Sequence, residues 1–536
     1  MARTVTRTDR QRGRAVTIGW LTAAGAAVTG ALVATSTLVG AAGVLGLLLL
    51  VGAARMDPKR LAVVGLIAVL LSRTVEIAVP WQPTTYLDEV VTVYLGVVLV
   101  GGRLLRRQRL RWPPGSLFFA VFVLFGILSS VVAAVPLTIA SAGGILIVKG
   151  VLLYLFVAQV DWTIDDIGWL ARTAAWVLGV ALACAVVNLL LPEQWSSIFS
   201  VTGRPQYRSV FASLIGPFTH PLQFGNFMSL AAIACAALLL FRARGKGTRT
   251  FFVASAAAVV LSFRRTAIVG LLAGLAYLVL RRRHASVLIT ALLLAPIAAI
   301  ALFPVVAPVV QNTYNQFVTD GSETARTRLT VDSAALAVEH FPFGVGFGRF
   351  GSAIARDYYS PEYVRLGYEG VYGLGSAGNP NNHGRFLTDT QWPAILGEAG
   401  AVGALFFVLG LWAIFTTFRR ASRAAELPLS LLGLVGLGWM VHILLESLAY
   451  PVFVTSPTSP LLFGLAGIVA ALVAGTRPPT DPVPGRPQVG SGGTGSAAPP
   501  GSPGPGALSR PSSRSARRRE LLRPWPDTTD HGRHRA

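Results

Sequence analysis

The chain is predicted to be an all-α polytopic membrane protein of about 14 transmembrane helices (about 12–14), on three observations. Of its 536 residues 53% are hydrophobic and only 13% charged, whereas a soluble globular domain carries roughly a quarter charged residues. Apolar runs close to the ~20 residues that cross a bilayer recur along its length. Lys and Arg then fall on every second connection between those runs, as the positive-inside rule requires.

The elements follow in order. Residues 1–14 form a basic N-terminus with Arg3, Arg7, Arg10, Arg12 and Arg14. No small-residue cleavage site follows, so the next apolar run is a retained span. That run, Ala15 to Ala54, reads as two helices turning near Gly40. Further spans begin near Leu61, Leu87, Gly115, Gly143, Ile167, Leu222, Thr250, Thr266, Ala285, Pro393, Leu427 and Pro460. Segments 250–263 and 266–280 are short and separated only by Arg264 and Arg265, which suits either two spans or half-helices around a buried site. The membrane domain is thus 15–475. Residues 476–536 turn to Pro, Gly, Ser and Arg, cannot bury a core, and are expected to be a disordered cytoplasmic tail.

The formal net charge is +22, from 46 Lys and Arg against 24 Asp and Glu. On a soluble protein that balance would suggest nucleic acid. Here it gathers on 55–60, 103–111, 242–249, 281–283, 419–423 and the tail, so it is an orientation signal and no nucleic-acid partner is expected. Connections 80–88, 136–142 and 448–458 contain neither Lys nor Arg. The alternation puts both termini in the cytoplasm of a multi-pass plasma-membrane protein and leaves 192–220 and 310–392 outside. Asp161, Asp165 and Asp166 fall on the cytoplasmic side, where acidic residues count little. Cys184 and Cys235 lie inside apolar runs, which excludes a disulfide framework and a zinc site; no metal or cofactor is expected.

Ionisable residues at membrane depth are functional candidates by their cost alone. Arg73 and Glu76, at i and i+3, suit a neutralising pair, and His442 and Glu446, at i and i+4, a structural contact. Lys149 stands alone in its run, and Glu398 suits helix packing or a cap. Arg264 and Arg265 have no acidic neighbour in sequence, and two adjacent guanidiniums near the outer face suit a lipid-linked phosphate. Arg204 and Arg208 add positive charge to the exterior segment 192–220. The 310–392 loop, with six Arg, eight acidic residues and no Lys, is the one soluble-like part large enough for a site. Its Gly346-Phe-Gly348-Arg-Phe-Gly351 fits the dinucleotide pattern G-x-G-x-x-G but follows no predicted strand, so it reads as a Gly-rich turn.

Four stretches together resemble the O-antigen ligase / O-antigen polymerase superfamily of polytopic bacterial glycosyltransferases. The first is Arg208 followed by Gly216-Pro-Phe-Thr-His-Pro221 and Gly225. The second is Leu261-Ser-Phe-Arg-Arg265-Thr-Ala-Ile-Val-Gly270, the third Phe341-Pro-Phe-Gly-Val-Gly-Phe-Gly-Arg-Phe350. The fourth is Asp389-Thr-Gln-Trp392 with Glu398-Ala-Gly400-Ala-Val-Gly403. They span about 200–420 in the family's order.

The resemblance implies a GT-C-like fold and a metal-independent glycosyltransferase. It would use a glycan carried on undecaprenyl pyrophosphate as donor at the exterior face, in cell-surface or exopolysaccharide biosynthesis. The acceptor would be another glycan or a different surface molecule, with the lipid bilayer and polysaccharide-export machinery as further partners. By motif, Arg265 matches the arginine that holds the pyrophosphate, Arg264 takes the family's Ser position, and Arg208 matches an earlier arginine at longer spacing. Asp389, nine residues before Glu398, stands where ligases usually carry His, which tilts the reading toward a polymerase. Asp389 is therefore a candidate base for the acceptor hydroxyl, with His383 as the alternative imidazole. A lipid-linked saccharide flippase remains a competing reading, since Arg-lined cavities suit transport too; it predicts paired broken helices in two related halves, which the sequence lacks.

Overall fold

The computed structural model describes residues 55–79, 81–208, 211–240, 246–281, 325–379, 384 and 386–475. The first helices are α1 (Pro58–Ala78), α2 (Leu87–Leu105), α3 (Ser116–Val132), α4 (Leu137–Val157) and α5 (Asp166–Leu190). A short α6 (Pro192–Phe199) and a two-stranded hairpin, β1 (Tyr207–Arg208) and β2 (Phe211–Ala212), lead to α7 (Pro221–Leu240), α8 (Lys246–Leu261) and α9 (Arg265–Arg281). The large loop contributes α10 (Ala325–Glu339), α11 (Ala353–Asp357) and α12 (Pro361–Arg365). The chain closes with α13 (Trp392–Ala421), α14 (Leu427–Glu446) and α15 (Thr458–Gly475).

Seven of these, α1, α4, α5, α7, α13, α14 and α15, are long and apolar enough to cross a membrane. The remaining predicted positions that are described, near Leu87, Gly115, Thr250 and Thr266, are helices too, but each is shorter or more polar. Three predicted spans, two within 15–54 and one from Ala285, lie outside the described residues, as does the 476–536 tail. The chain is a helix-rich, multi-pass membrane protein.

Local chemistry explains the boundaries. Asp57 caps α1 by accepting the Lys59 N–H at 2.8 Å, with Pro58 at the first helical position, where its missing N–H costs nothing. Between helices small residues allow close approach, the main route to association where lipid is as apolar as the helices themselves. A Cβ at Gly433 would stand 2.2 Å from the Ser422 nitrogen. The core holds a run of edge-on rings, Phe119, Phe122, Phe407 and Phe453, with centroids 5.0–5.7 Å apart along the chain of contacts.

The two ends of the bundle differ in chemistry. At one end Lys59 pairs with Asp166 at 2.6 Å, Arg103 reaches Asp161 at 3.1 Å, Arg111 pairs with the same Asp161, and Arg281 donates to Ser422 at 2.9 Å. The acidic connection 161–166 that sat oddly in the charge alternation is therefore the counter-ion of the basic connections around it. At the opposite end lie the 192–220 segment, the α8–α9 break, the large loop and the 448–458 connection. Thr74 Oγ1 donates to the Pro217 carbonyl at 2.6 Å there, and Ser456 Oγ to Leu70 at 2.5 Å. Arg73 and Glu76 form the expected pair. Lys149, which lacks a partner in its own run, pairs with Asp88 and, at 3.3 Å, with Glu89 of α2.

Candidate functional site

The site begins where α8 stops and α9 starts. Phe263 takes a left-handed φ of 52°, which ends one helix and lets the chain restart at Arg265. The Leu261 carbonyl freed there accepts the Leu214 N–H at 3.1 Å, tying the 192–220 segment to the break. Arg265 is the first residue of α9, so its guanidinium and the helix's first amides share one end, where partial positive charge favours an anion. Arg264 Nη2 donates to Gln206 Oε1 at 2.5 Å, two residues before Arg208 on β1. The hairpin is closed by Ser213 N–H to the Gln206 carbonyl at 2.8 Å. Asn188 Oδ1 accepts the Ile215 and Gly216 amides, and Trp195 Nε1 donates to the Gly216 carbonyl at 2.7 Å. His220 Nδ1 accepts the Leu222 N–H at the start of α7. Burial, and then the positive charge of Arg264, lower its pKa to about 4.

Beneath the break, α7, α9 and α14 meet along a buried polar seam. Asn226 Nδ2 donates to Glu446 Oε2 at 3.4 Å, and the Thr266 side chain interacts with the same carboxylate. His442 does not bond Glu446 in the way its spacing suggested. Its ring lies against Gly270, where a Cβ would come within 2.4 Å of Nδ1. Tyr450, in the connection after α14, is half-buried, and its loss of solvation raises its pKa.

The Gly-rich motif of the large loop is a turn, as expected, with an unforeseen role. Gly346, Gly348 and Gly351 have φ of 91°, 77° and 68°, conformations that glycine adopts without a Cβ penalty. The turn wraps its amides around one buried carboxylate, that of Glu398. Phe350 N–H donates to Oε1 at 3.2 Å, and the backbone of Gly348 and Arg349 and the side chain of Ser352 lie close to the same carboxylate. Gly400 breaks α13 with φ 75°, and the carbonyls of Gly397 and Glu398 accept the Val345 and Gly346 amides at 2.9 and 3.0 Å. Ser129 and Ser130 of α3 accept the amides of Gly344 and Phe347 at 2.9 Å each. The motif therefore fastens the loop to α3 and α13 around a buried carboxyl group.

The loop has a small core of its own, in which Tyr363 and Tyr368 stack at 5.3 Å and Tyr368 donates to Asp332 at 2.9 Å. Asp332 also receives Arg328 at 2.8 Å. Asp389 leaves this core one-quarter exposed and paired to Arg326 of α10 at 2.7 Å. Two residues on, Gln391 N–H donates to the Ser447 carbonyl at 3.2 Å and Trp392 Nε1 to Ser447 Oγ at 2.9 Å. The segment carrying Asp389 and the seam under Arg265 therefore meet at consecutive residues of one helix end, Ser447 and Glu446.

Of the candidates, Arg264 and Arg265 occupy the helix break, and Arg208 lies on the hairpin held by Arg264, its side chain outside the described ones. The two arginines are not bare charges: both make contacts within the protein. Asp389 lies at the same end, and His383 falls outside the described residues. Residue types alone did not single out Gln206, Asn226 or Thr266. Their one sequence signal was polarity at positions flanking the arginine motif or inside an apolar helix. Among the described residues no group of three or more His, Cys, Asp or Glu side chains is placed to hold a metal ion.

Residues 250–374 match a family model described as O-antigen ligase. No curated protein matches the chain. The matched segment contains the helix break with Arg264 and Arg265, α10 with Arg326, and the Gly346–Gly351 turn, and it ends before Asp389. The stretch that bears the paired arginines and the Glu398-binding turn is accordingly similar to the O-antigen ligase family.

Proposed function

We propose that the protein is a metal-independent glycosyltransferase. It transfers or polymerises a saccharide carried on undecaprenyl pyrophosphate, at the exterior face of the plasma membrane, in cell-surface or exopolysaccharide biosynthesis. The observation that carries this reading is the α8–α9 break, which sets Arg264 and Arg265 at a helix N-terminus on the same end of the bundle as the loop bearing Asp389. A membrane domain of the GT-C type with fourteen spans, and termini in the cytoplasm, accord with the basic end being the cytoplasmic one.

In this reading the donor's pyrophosphate lies against Arg265, Arg264 and the first amides of α9, with Arg208 on the neighbouring hairpin. Asp389, or His383, takes the proton of the acceptor hydroxyl. The hydroxyl oxygen forms a bond to the anomeric carbon as the carbon–oxygen bond to pyrophosphate breaks. Undecaprenyl pyrophosphate leaves, its developing charge met by the guanidiniums and helix end. The carboxylate at 389 favours a polymerase, whose acceptor is a second lipid-linked glycan, over a ligase.

Transfer from a lipid-linked donor, measured on purified Arg265→Ala, tests the reading: turnover should fall by at least about a hundredfold, and wild-type turnover would remove Arg265 from the site. Glycan-length analysis in a deletion strain separates the two activities. Loss of a polymerase leaves single repeat units, and loss of a ligase leaves long unattached chains.

A further inference from the structure

We propose that Glu446, through Thr266 and Asn226, is a positioning residue that sets the register of the helix start bearing Arg265. The inference rests on the transferase reading above.

Glu446 is the last residue of α14 and is fully buried between α7 and α9. A carboxylate at that depth is costly, and its bonding here does little to offset the cost. Oε2 has one long hydrogen bond from Asn226, and Oε1 has none among the described residues. An apolar side chain would hold three helices together at least as well. The polar choice therefore serves something other than packing, the default inference for an ionisable group inside a membrane.

Its contacts indicate what that is. Thr266 follows Arg265 directly, and the nearness of its side chain to Glu446 sets the buried carboxylate beside the first turn of α9. Ser229 Oγ, one turn beyond Asn226 on α7, donates to the Ala267 carbonyl at 3.0 Å and so holds the same turn. Gly225 and Gly270 let the backbones close in: a Cβ at Gly225 would lie 2.7 Å from Ser262 Oγ, just before the break. Besides the apolar packing of Ala267, the Arg265 turn is thus held by a directional hydroxyl–carbonyl bond and by polar side chains set beside it. Apolar contacts tolerate sliding along the helix axis, whereas these do not.

The neighbouring residue extends the argument. Ser447 receives Gln391 and Trp392 from the end of the large loop, two and three residues after Asp389. Consecutive residues at one helix end therefore register both halves of the site, Glu446 the arginines and Ser447 the candidate base. A displacement of either half by about 1 Å is enough to cost on the order of a hundredfold in rate.

The test uses the full-length protein in lipid nanodiscs, with a polyprenyl pyrophosphate as binding probe and transfer from lipid-linked donor as activity. Thr266→Val keeps the side-chain volume and deletes the hydroxyl; Glu446→Ala deletes the carboxylate. Each should weaken probe binding and raise the donor KM by about tenfold, with the acceptor KM unchanged. Thr266→Ser and Glu446→Gln, which keep the polar contact, should recover most of the loss. Wild-type probe binding by Thr266→Val, or equal losses toward donor and acceptor, overturns the positioning role and leaves the transferase reading standing. Failure of the unmodified protein to bind the probe overturns both. Should Glu446→Ala not fold, the near-isosteric Thr266→Val decides the matter alone.

Discussion

The Phe350 amide donates to Glu398 Oε1 across 48 residues of sequence, at 3.2 Å, and so joins the Gly-rich turn to the first turns of α13. Backbone amides of a Gly-rich turn can cradle an acceptor, and here the protein supplies a carboxyl group of its own. Glu398→Ala leaves the buried Phe350 amide without an acceptor and should cost about 1–3 kcal/mol. Glu398→Gln, which keeps one acceptor, should cost less. Thermal unfolding of the purified variants measures both, and an unchanged midpoint for the alanine variant would refute the cradle.

Close approach at Gly270 should be just as exacting. Its added Cβ in Gly270→Ala would meet the buried His442 ring at 2.4 Å. Overpacking of this kind costs roughly 1–3 kcal/mol. Combining it with His442→Ala should cost less than the sum of the two, because the cavity accepts the new methyl. Additive losses in a double-mutant cycle would place the strain elsewhere.

His220 gives the fold an acid limit. Its pKa is depressed from 6.5 to about 4 by burial and by Arg264, and its neutral Nδ1 accepts the Leu222 amide. A depressed imidazole contributes stability that is present above pH 6.5. As the pH falls, the unfolded chain takes up a proton that the folded one refuses. About 1.4 kcal/mol should therefore be lost per pH unit between 6.5 and about 4. In His220→Asn, which still offers an acceptor to the helix start, that slope should vanish. Identical slopes in the two proteins would assign the acid loss to other groups.

In the proposed transferase, Asp389 and His383 are alternative bases for the acceptor hydroxyl. Asp389→Asn should lower kcat by about 10²–10⁴-fold with the donor KM unchanged, while His383→Gln stays close to wild type. The reverse result would give the proton to His383. Because Asp389 is paired with Arg326 at 2.7 Å, Arg326→Ala should lower kcat in the same direction but by less, through loss of orientation.

Much of the scaffold was legible in order of sequence. All eleven predicted span positions that are described are helices, because length and apolarity are local properties that the bilayer enforces. The Arg73–Glu76 pair was legible for the same reason, since i and i+3 always meet on a helix. Lys149 was not, because its partners, Asp88 and Glu89, lie on another helix. The acidic connection at 161–166 resisted the charge count because composition registers a sign, whereas the fold pairs Asp161 and Asp166 with named cations.

By itself, then, the sequence determined a multi-pass helical membrane protein, the alternation of basic and non-basic connections, and the arginines and glycines worth attention. Only the tertiary structure decided what those residues touch. It alone gave the glycine turn an internal carboxylate, paired Asp389 with Arg326 across 63 residues, and brought Asn226 to Glu446 across 220. The physical reason is the range of the forces. Insertion into a bilayer is decided residue by residue along a segment, whereas a hydrogen bond has direction and a reach of about 3 Å, so its partner is fixed only once the helices have packed.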